Sequence, residues 1–343
     1  MQSIKNATLC AVTSLFPCNV EDTVVVTGSP RSGTTWLSEL LRELPGYKML
    51  NEPLHPNSAP NAQRIDGLGW RTDLSEEEEF PELERLLRLA FTGREGATWK
   101  WRLKDTSPVR QLLQHATRRK LLVKLLRASR MLPWVTSRFP VRAVVSTFRH
   151  PCAVVASQLN AGWQIQHFPE PGRLEDTFGA FPAEIEQRFG HVLSNLKTPA
   201  EVRAGVWAID TYMTLRQPVY RPWIVTTYED LLERKEVEVR RVFGELGEPV
   251  PEGVHKQFNQ PSHSAAADLT VSETETQLTK WKDRLNDTQV DTILEVVEAF
   301  GLDIYTDDPR PHHDCFRQIL DQESETLATH SSSSVCTPSV PNV

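Results

Sequence analysis

A chain of 343 residues is long enough for one large domain or two ordinary ones, and 39% hydrophobic with 24% charged residues is the composition of a soluble globular protein. That excludes a disulfide-stapled miniprotein, and no apolar run reaches the length of a bilayer span. A net charge of -7 argues against a general duplex DNA or RNA binder.

Cys10, Cys18, Cys152, Cys315 and Cys336 are odd in number and scattered, without the C-x-x-C pairing of zinc sites, so reduced thiols in a cytoplasmic protein are expected. Ala7 to Phe16 behind Lys5 faintly resembles a signal peptide, but Thr8, Thr13 and Ser14 interrupt it and secretion is not expected. The sequons at Asn6 and Asn286 then carry no meaning. From Arg94 to Arg130 stand eleven Lys or Arg against Glu95 and Asp105 alone, a local excess suited to an anionic ligand or to a solvated basic face.

In chain order, Thr23 to Thr27 is a β-branched run ending in Gly28-Ser29-Pro30, and Trp36, Leu37, Leu40, Leu41 and Leu44 then recur at helical spacing. Pro45-Gly46 stops that helix, and Tyr47 to Leu50 predicts a second strand leading to Asn51-Glu52-Pro53. A polar insertion follows, with an acidic run at Glu76 to Glu79 and a capping box expected between Ser75 and Glu78. Lys120 to Leu126, Val141 to Phe148 and Trp223 to Tyr228 are further strands, with a helix over Ala128 to Arg138. Ala161 to Pro199, which mixes aromatics with Pro and Gly, suits an irregular lid or a plain surface excursion. Strands alternating with helices predict an α/β fold, a single domain with a central parallel sheet flanked by helices. We expect that domain over residues 20–312, with an extension over 1–19 and a disordered tail over 313–343.

Gly28 to Thr35 lies between a strand and a helix, where backbone N–H groups and the helix dipole converge on an anion. The glycine spacing is that of a Walker A loop, G-x-x-x-x-G-K-[ST], yet Thr34 stands where the Lys should be. Without that Lys, hydrolysis of a nucleoside triphosphate is disfavoured. The cation of this loop is Arg31.

Arg31-Ser32-Gly33-Thr34-Thr35-Trp36 resembles the 5′-phosphosulfate loop of sulfotransferases that use 3′-phosphoadenosine 5′-phosphosulfate (PAPS). A phosphosulfate carries less charge than a triphosphate and needs no metal bridge, so amides, hydroxyls and one side-chain cation can hold it. Arg149-His150-Pro151, with Ser157 eight residues beyond the Arg, is similar to that family's second motif, whose Arg and Ser contact the 3′-phosphate. Lys124-Leu125-Leu126-Arg127 resembles a Lys-x-x-Arg of carbohydrate sulfotransferases, and Tyr228-Glu229-Asp230-Leu231 the tyrosine segment near the adenine. Trp281 and Leu285 in a helix-rich end are also family-like. The resemblance runs from Val24 to about Tyr305. It lacks the first-loop Lys and the C-terminal Arg-Lys-Gly cluster of soluble phenol and hormone sulfotransferases, which leaves part of the 3′-phosphate site unassigned and points toward carbohydrate-type and bacterial-type branches.

The resemblance therefore implies PAPS as co-substrate, no metal, and a hydroxyl acceptor, most naturally a carbohydrate. Cofactor residues would be Arg31, Ser32, Gly33, Thr34, Thr35, Trp36, Arg149, Ser157 and Tyr228; Arg31 and Lys124 would neutralise the leaving phosphate. Glu52 and His55 are the candidate bases, and Glu52 is preferred because Glu52-Pro53 matches the Glu-Pro of carbohydrate-type members. A P-loop kinase or triphosphatase and a non-catalytic nucleotide-binding module stand as alternatives. His312-His313-Asp314-Cys315 raises metal chemistry, but a polar tail offers no fixed geometry.

Overall fold

Five β-branched, apolar runs become strands: β1 (Thr23–Thr27), β2 (Tyr47–Asn51), β3 (Lys120–Lys124), β4 (Ala143–Phe148) and β5 (Trp223–Thr227). They form one parallel sheet in the order β2-β3-β1-β4-β5, confirming the α/β class. The structure, a computed structural model, describes residues 11, 13–95, 113, 116–216, 223–258 and 274–320. Most of the basic stretch between Arg94 and Arg130, and everything after Leu320, lies outside them.

Side chains alternate between the two sheet faces. Val25, Leu121, Val123 and Val144 pack with α2 (Pro81–Phe91) and α3 (Leu132–Arg138). On the other face, Val24, Val26, Leu122 and Val145 pack with α1 (Thr34–Leu41), α8 (Tyr228–Glu233) and α9 (Lys235–Glu245). A third cluster joins α4 (Pro151–Asn160), α6 (Ala183–Leu193), α7 (Pro199–Leu215) and α11 (Asp287–Ala299). Further helices are α5 (Leu174–Phe178), α10 (Thr274–Thr279) and a short one over Gly253–Gln257. At about 2 kcal/mol for each fully buried Val or Leu, these three clusters hold the sheet's carboxyl edge rigid under the loops that carry polar groups.

Four expectations are corrected. Strand β3 stops at Lys124 rather than at Leu126, and Leu126 and Arg127 lie beyond it in a 3-10 turn over Leu126–Ala128. Ser75 and Glu78 close a turn in which the Glu78 carboxylate accepts the Ser75 N–H and the Ser75 carbonyl accepts the Glu78 N–H; the helix starts later, at Pro81, while capping boxes form at Thr198 and Glu201 and at Asn286 and Gln289. The Ala161 to Pro199 insertion is irregular only in its first part: α5 and α6 follow, anchored by the buried Phe178, Ile185, Phe189 and Leu193. Finally, residues 313–320 are helical rather than tail, and Phe316 is buried with its ring edge-on to Phe148 at 5.3 Å. No helix among the described residues is long and apolar enough to cross a membrane.

Candidate active site

Strand register brings the site together at the carboxyl edge, where open parallel sheets bind ligands. Val26, Lys124 and Asn51 are aligned across β1, β3 and β2, so Glu52, the residue just beyond Asn51, meets Lys124 where β1 runs into the loop. On the other side Phe148 aligns with Thr227, which sets Arg149 beside Tyr228.

Backbone geometry of the loop demands its glycines. Gly28 has φ +144°, and a Cβ there would sit 2.4 Å from the Thr147 carbonyl oxygen; Gly33 has φ +90°, and its Cβ would sit 2.5 Å from the Tyr228 ring. Gly33 precedes α1 and offers no side chain to the first N–H groups of that helix, which leaves them for an anion. Arg31 and Glu52 are the two non-glycine residues with positive φ among the described residues, at 81° and 50°. Such strain of about 1–3 kcal/mol per residue persists where surrounding structure over-determines the backbone, and both fall at the site.

Two clusters emerge. In the first, Lys124 Nζ donates to Thr35 Oγ1 at 3.0 Å and to Glu52 Oε1 at 3.2 Å, with both partners of the ion pair largely buried. The Glu52 N–H also donates to the Lys124 carbonyl at 2.8 Å, extending the ladder by one rung and fixing the carboxylate's position. His55 closes the following turn; its Nδ1 accepts the Asn57 N–H, its ring lies edge-on to Trp70, and burial lowers its pKa.

In the second cluster, Arg149 Nη1 donates to the Arg31 carbonyl at 3.1 Å and its guanidinium lies 4.1 Å from the Tyr228 ring centroid. Arg31 Nε donates to Ser157 Oγ at 3.0 Å. Arg31, expected beside Lys124 on the leaving phosphate, thus stands with Arg149 and Ser157 instead. Tyr228 also meets Trp36 edge-on at 6.0 Å. Ser32 Oγ and Arg149 Nε are buried without a hydrogen-bond partner, and a phosphate oxygen is the group that such donors fit. Thr34, 2% exposed, stands at the Walker lysine position.

The chain matches the model of the sulfotransferase family over residues 23–252. It belongs to that family. As the motifs imply, it is a PAPS-dependent sulfotransferase. Three solved structures share the likeness at low identity. The sulfotransferase domain of the Synechococcus PCC 7002 olefin synthase is 18% identical with a TM-score of 0.46, covering 82% of this chain and 95% of that one. Mouse sulfotransferase SULT7A1, complexed with PAP, is 12% identical with a TM-score of 0.43, covering 95% of each. A retinol dehydratase in complex with retinol and PAP is 16% identical with a TM-score of 0.38, covering 86% of this chain and 85% of that one. No curated protein matches.

Two cations of this sulfotransferase escaped the sequence reading. Trp281 stacks on His150 with ring centroids 4.6 Å apart, which docks the turn after α10 against the end of β4. Lys280 and Arg284 flank that Trp. Burial lowers the pKa of Arg31, and the charges of Arg149 and Arg284 lower it further; burial, then Arg284 and Arg149, lower that of Lys280. The signal was the Trp281 already noted, with a cation one residue before it and another three residues after. His150 itself is a structural residue: wholly buried, with a pKa pushed down to about 4, its Nε2 within 2.8 Å of the Thr306 carbonyl. His312, His313, Asp314 and Cys315 lie in a folded segment, and no metal-binding cluster occurs among the described residues.

Gly33→Ala is expected to destabilise the sulfotransferase by about 1–3 kcal/mol, because the new methyl strains a left-handed residue and pushes Tyr228 off the loop. Gly244→Ala, on α9 with open space around its Cβ, should be neutral or stabilising by comparison. Urea midpoints of the two variants check this; equal midpoints would show that the Gly33 to Tyr228 contact does not matter.

Proposed function

We propose that this sulfotransferase moves the sulfuryl group of PAPS to a carbohydrate hydroxyl, with Glu52 as general base and Lys124 as the cation on the leaving phosphate. PAPS supplies an activated sulfuryl group whose transfer, like phosphoryl transfer, depends on positioning and electrostatics. The observation that carries the reading is Lys124 Nζ, held between Thr35 of the phosphosulfate loop and Glu52. One cation thereby sits between the group that loses negative charge, the base, and the loop where leaving-group charge develops. As the acceptor oxygen bonds to sulfur, its proton passes to the Glu52 carboxylate while the sulfur to phosphate-oxygen bond breaks.

Arg149, Ser157 and Arg31 form the proposed seat of the 3′-phosphate, completed by Lys280 and Arg284. Tyr228 and Trp36 form the proposed adenine side. Cys18, Cys152 and Cys315 are free thiols among the described residues, which supports a reducing, cytoplasmic setting. A triphosphatase reading is weakened by Thr34, and a non-catalytic module gives no reason for a strained Glu52 held on Lys124.

Incubation with PAPS and a panel of sugars, glycans, phenols and lipid alcohols, read as release of adenosine 3′,5′-bisphosphate, tests the acceptor. A phenol or lipid preference would overturn the carbohydrate assignment. In the absence of acceptor, adenosine 3′,5′-bisphosphate should raise the melting temperature, since a ligand at a hundredfold its Kd adds about 2.7 kcal/mol. ATP with magnesium should do much less; equal shifts would return the kinase or triphosphatase reading.

A further inference from the structure

Arg127 is the group that the donor machinery does not use. It lies three residues past Lys124, half-buried, and makes no hydrogen bond or ion pair among the described residues; its Nε is wholly shielded from solvent without a partner. Its guanidinium rests against Trp70, 4.3 Å from the ring centroid, and Trp70 is 41% exposed with its other close neighbour the edge of His55. The charge that most favours the cation is Glu52, and Lys124 already pairs with that carboxylate.

Arg130, three residues further on, shows what a structural arginine looks like in this fold. It donates to Asp210 and to the Phe178 and Ala180 carbonyls, and Arg71 shares the same Asp210. The two carboxylates that act on Arg127 are thus both engaged, Glu52 by Lys124 and Asp210 by Arg71 and Arg130, while Asp73 is a further carboxylate that acts on Arg130. Burying a guanidinium without an acceptor is costly, and burial, with Arg71 adding to it, pushes its pKa down to about 10 against the pull of Glu52 and Asp210. A guanidinium packed against an indole still has N–H groups to offer to the oxygens of an anion.

We infer that Arg127 is an acceptor-recognition residue that binds an anionic group, a carboxylate or a sulfate ester, on the carbohydrate beside Glu52. This rests on the sulfotransferase reading and narrows its acceptor class to anionic sugars. Donor recognition is not its task, because Lys124, and not Arg127, reaches the phosphosulfate loop through Thr35.

The test uses the full chain loaded with adenosine 3′,5′-bisphosphate and three probes: p-nitrophenyl β-glucuronide, its neutral glucoside, and the glucoside 6-sulfate. Binding is read by calorimetry, and kcat/KM with PAPS is read in parallel. The glucuronide or the 6-sulfate should bind roughly 10- to 100-fold more tightly than the glucoside, the range of a charged hydrogen bond. Whichever anion wins identifies the group. Arg127→Gln should erase that preference while leaving affinity for adenosine 3′,5′-bisphosphate unchanged, and Arg127→Lys should restore part of it. Equal binding of all three sugars, no binding of either anion, or a preference that survives in Arg127→Gln overturns the inference. Weakened adenosine 3′,5′-bisphosphate binding in Arg127→Gln also overturns it, by moving Arg127 to the donor. Failure of the wild type to bind adenosine 3′,5′-bisphosphate or consume PAPS would instead defeat the underlying reading of the donor site.

Discussion

Glu52→Gln is expected to lower kcat by about 10²- to 10³-fold while leaving the affinity for adenosine 3′,5′-bisphosphate intact, the signature of a lost general base. The amide keeps the shape of the carboxylate, and its carbonyl oxygen can still accept from Lys124 Nζ, so the backbone and the φ of 50° need not relax. What disappears is the ability to take the acceptor's proton. His55→Ala should retain most turnover: Nδ1 of His55 is engaged by the Asn57 N–H, and the ring packs edge-on to Trp70. Steady-state kinetics with PAPS, paired with calorimetry, decides between them. Near-normal turnover in Glu52→Gln together with loss in His55→Ala would assign the base to the imidazole.

Arg149→Ala should weaken adenosine 3′,5′-bisphosphate by about 30- to 150-fold, equivalent to roughly 2–3 kcal/mol for a charged hydrogen-bond partner. The loss has two sources. A cation leaves the proposed phosphate seat, and the Arg31 carbonyl and Tyr228 ring lose the guanidinium that ties the loop to α8. Ser157→Ala should cost less, on the order of 5-fold, since a neutral hydroxyl bond is worth about 1 kcal/mol. The two effects should not add, because Ser157 also holds Arg31 and through it the loop carbonyl that Arg149 grips. Unchanged affinity in Arg149→Ala, measured by calorimetry on protein with a normal melting temperature, would remove the second phosphate site.

Whatever depends on local pattern was legible in the chain. The five strands were readable because β-branched apolar runs bounded by Gly and Pro have few alternatives, and each lies within a few residues of its expected limits. The phosphate loop was readable for the same reason: two left-handed glycines, a strand before and a helix after are all encoded between Thr23 and Leu41. The α5 and α6 helices were missed because aromatics, Pro and Gly suggested irregularity, while the burial of Phe178 and Phe189 that stabilises them comes from distant elements, α7 and α11.

By itself the sequence determined the parallel α/β class, the glycine loop between strand and helix with Thr34 in place of a lysine, and Arg149, Ser157, Glu52 and Lys124 as residues to watch. Only the tertiary structure decided how these side chains are partnered. It put Arg31 with Ser157 rather than Lys124, joined Lys124 to Glu52 and Thr35 across three strands, brought Lys280 and Arg284 toward Arg149, and left Arg127 against Trp70 with no acceptor among the described residues. The physical reason is one of range. Helix and strand periodicity report which face of an element is buried, over a few residues. An arginine's partner is chosen by register and packing between segments about a hundred residues apart, and long flexible side chains leave no trace of that choice in local spacing.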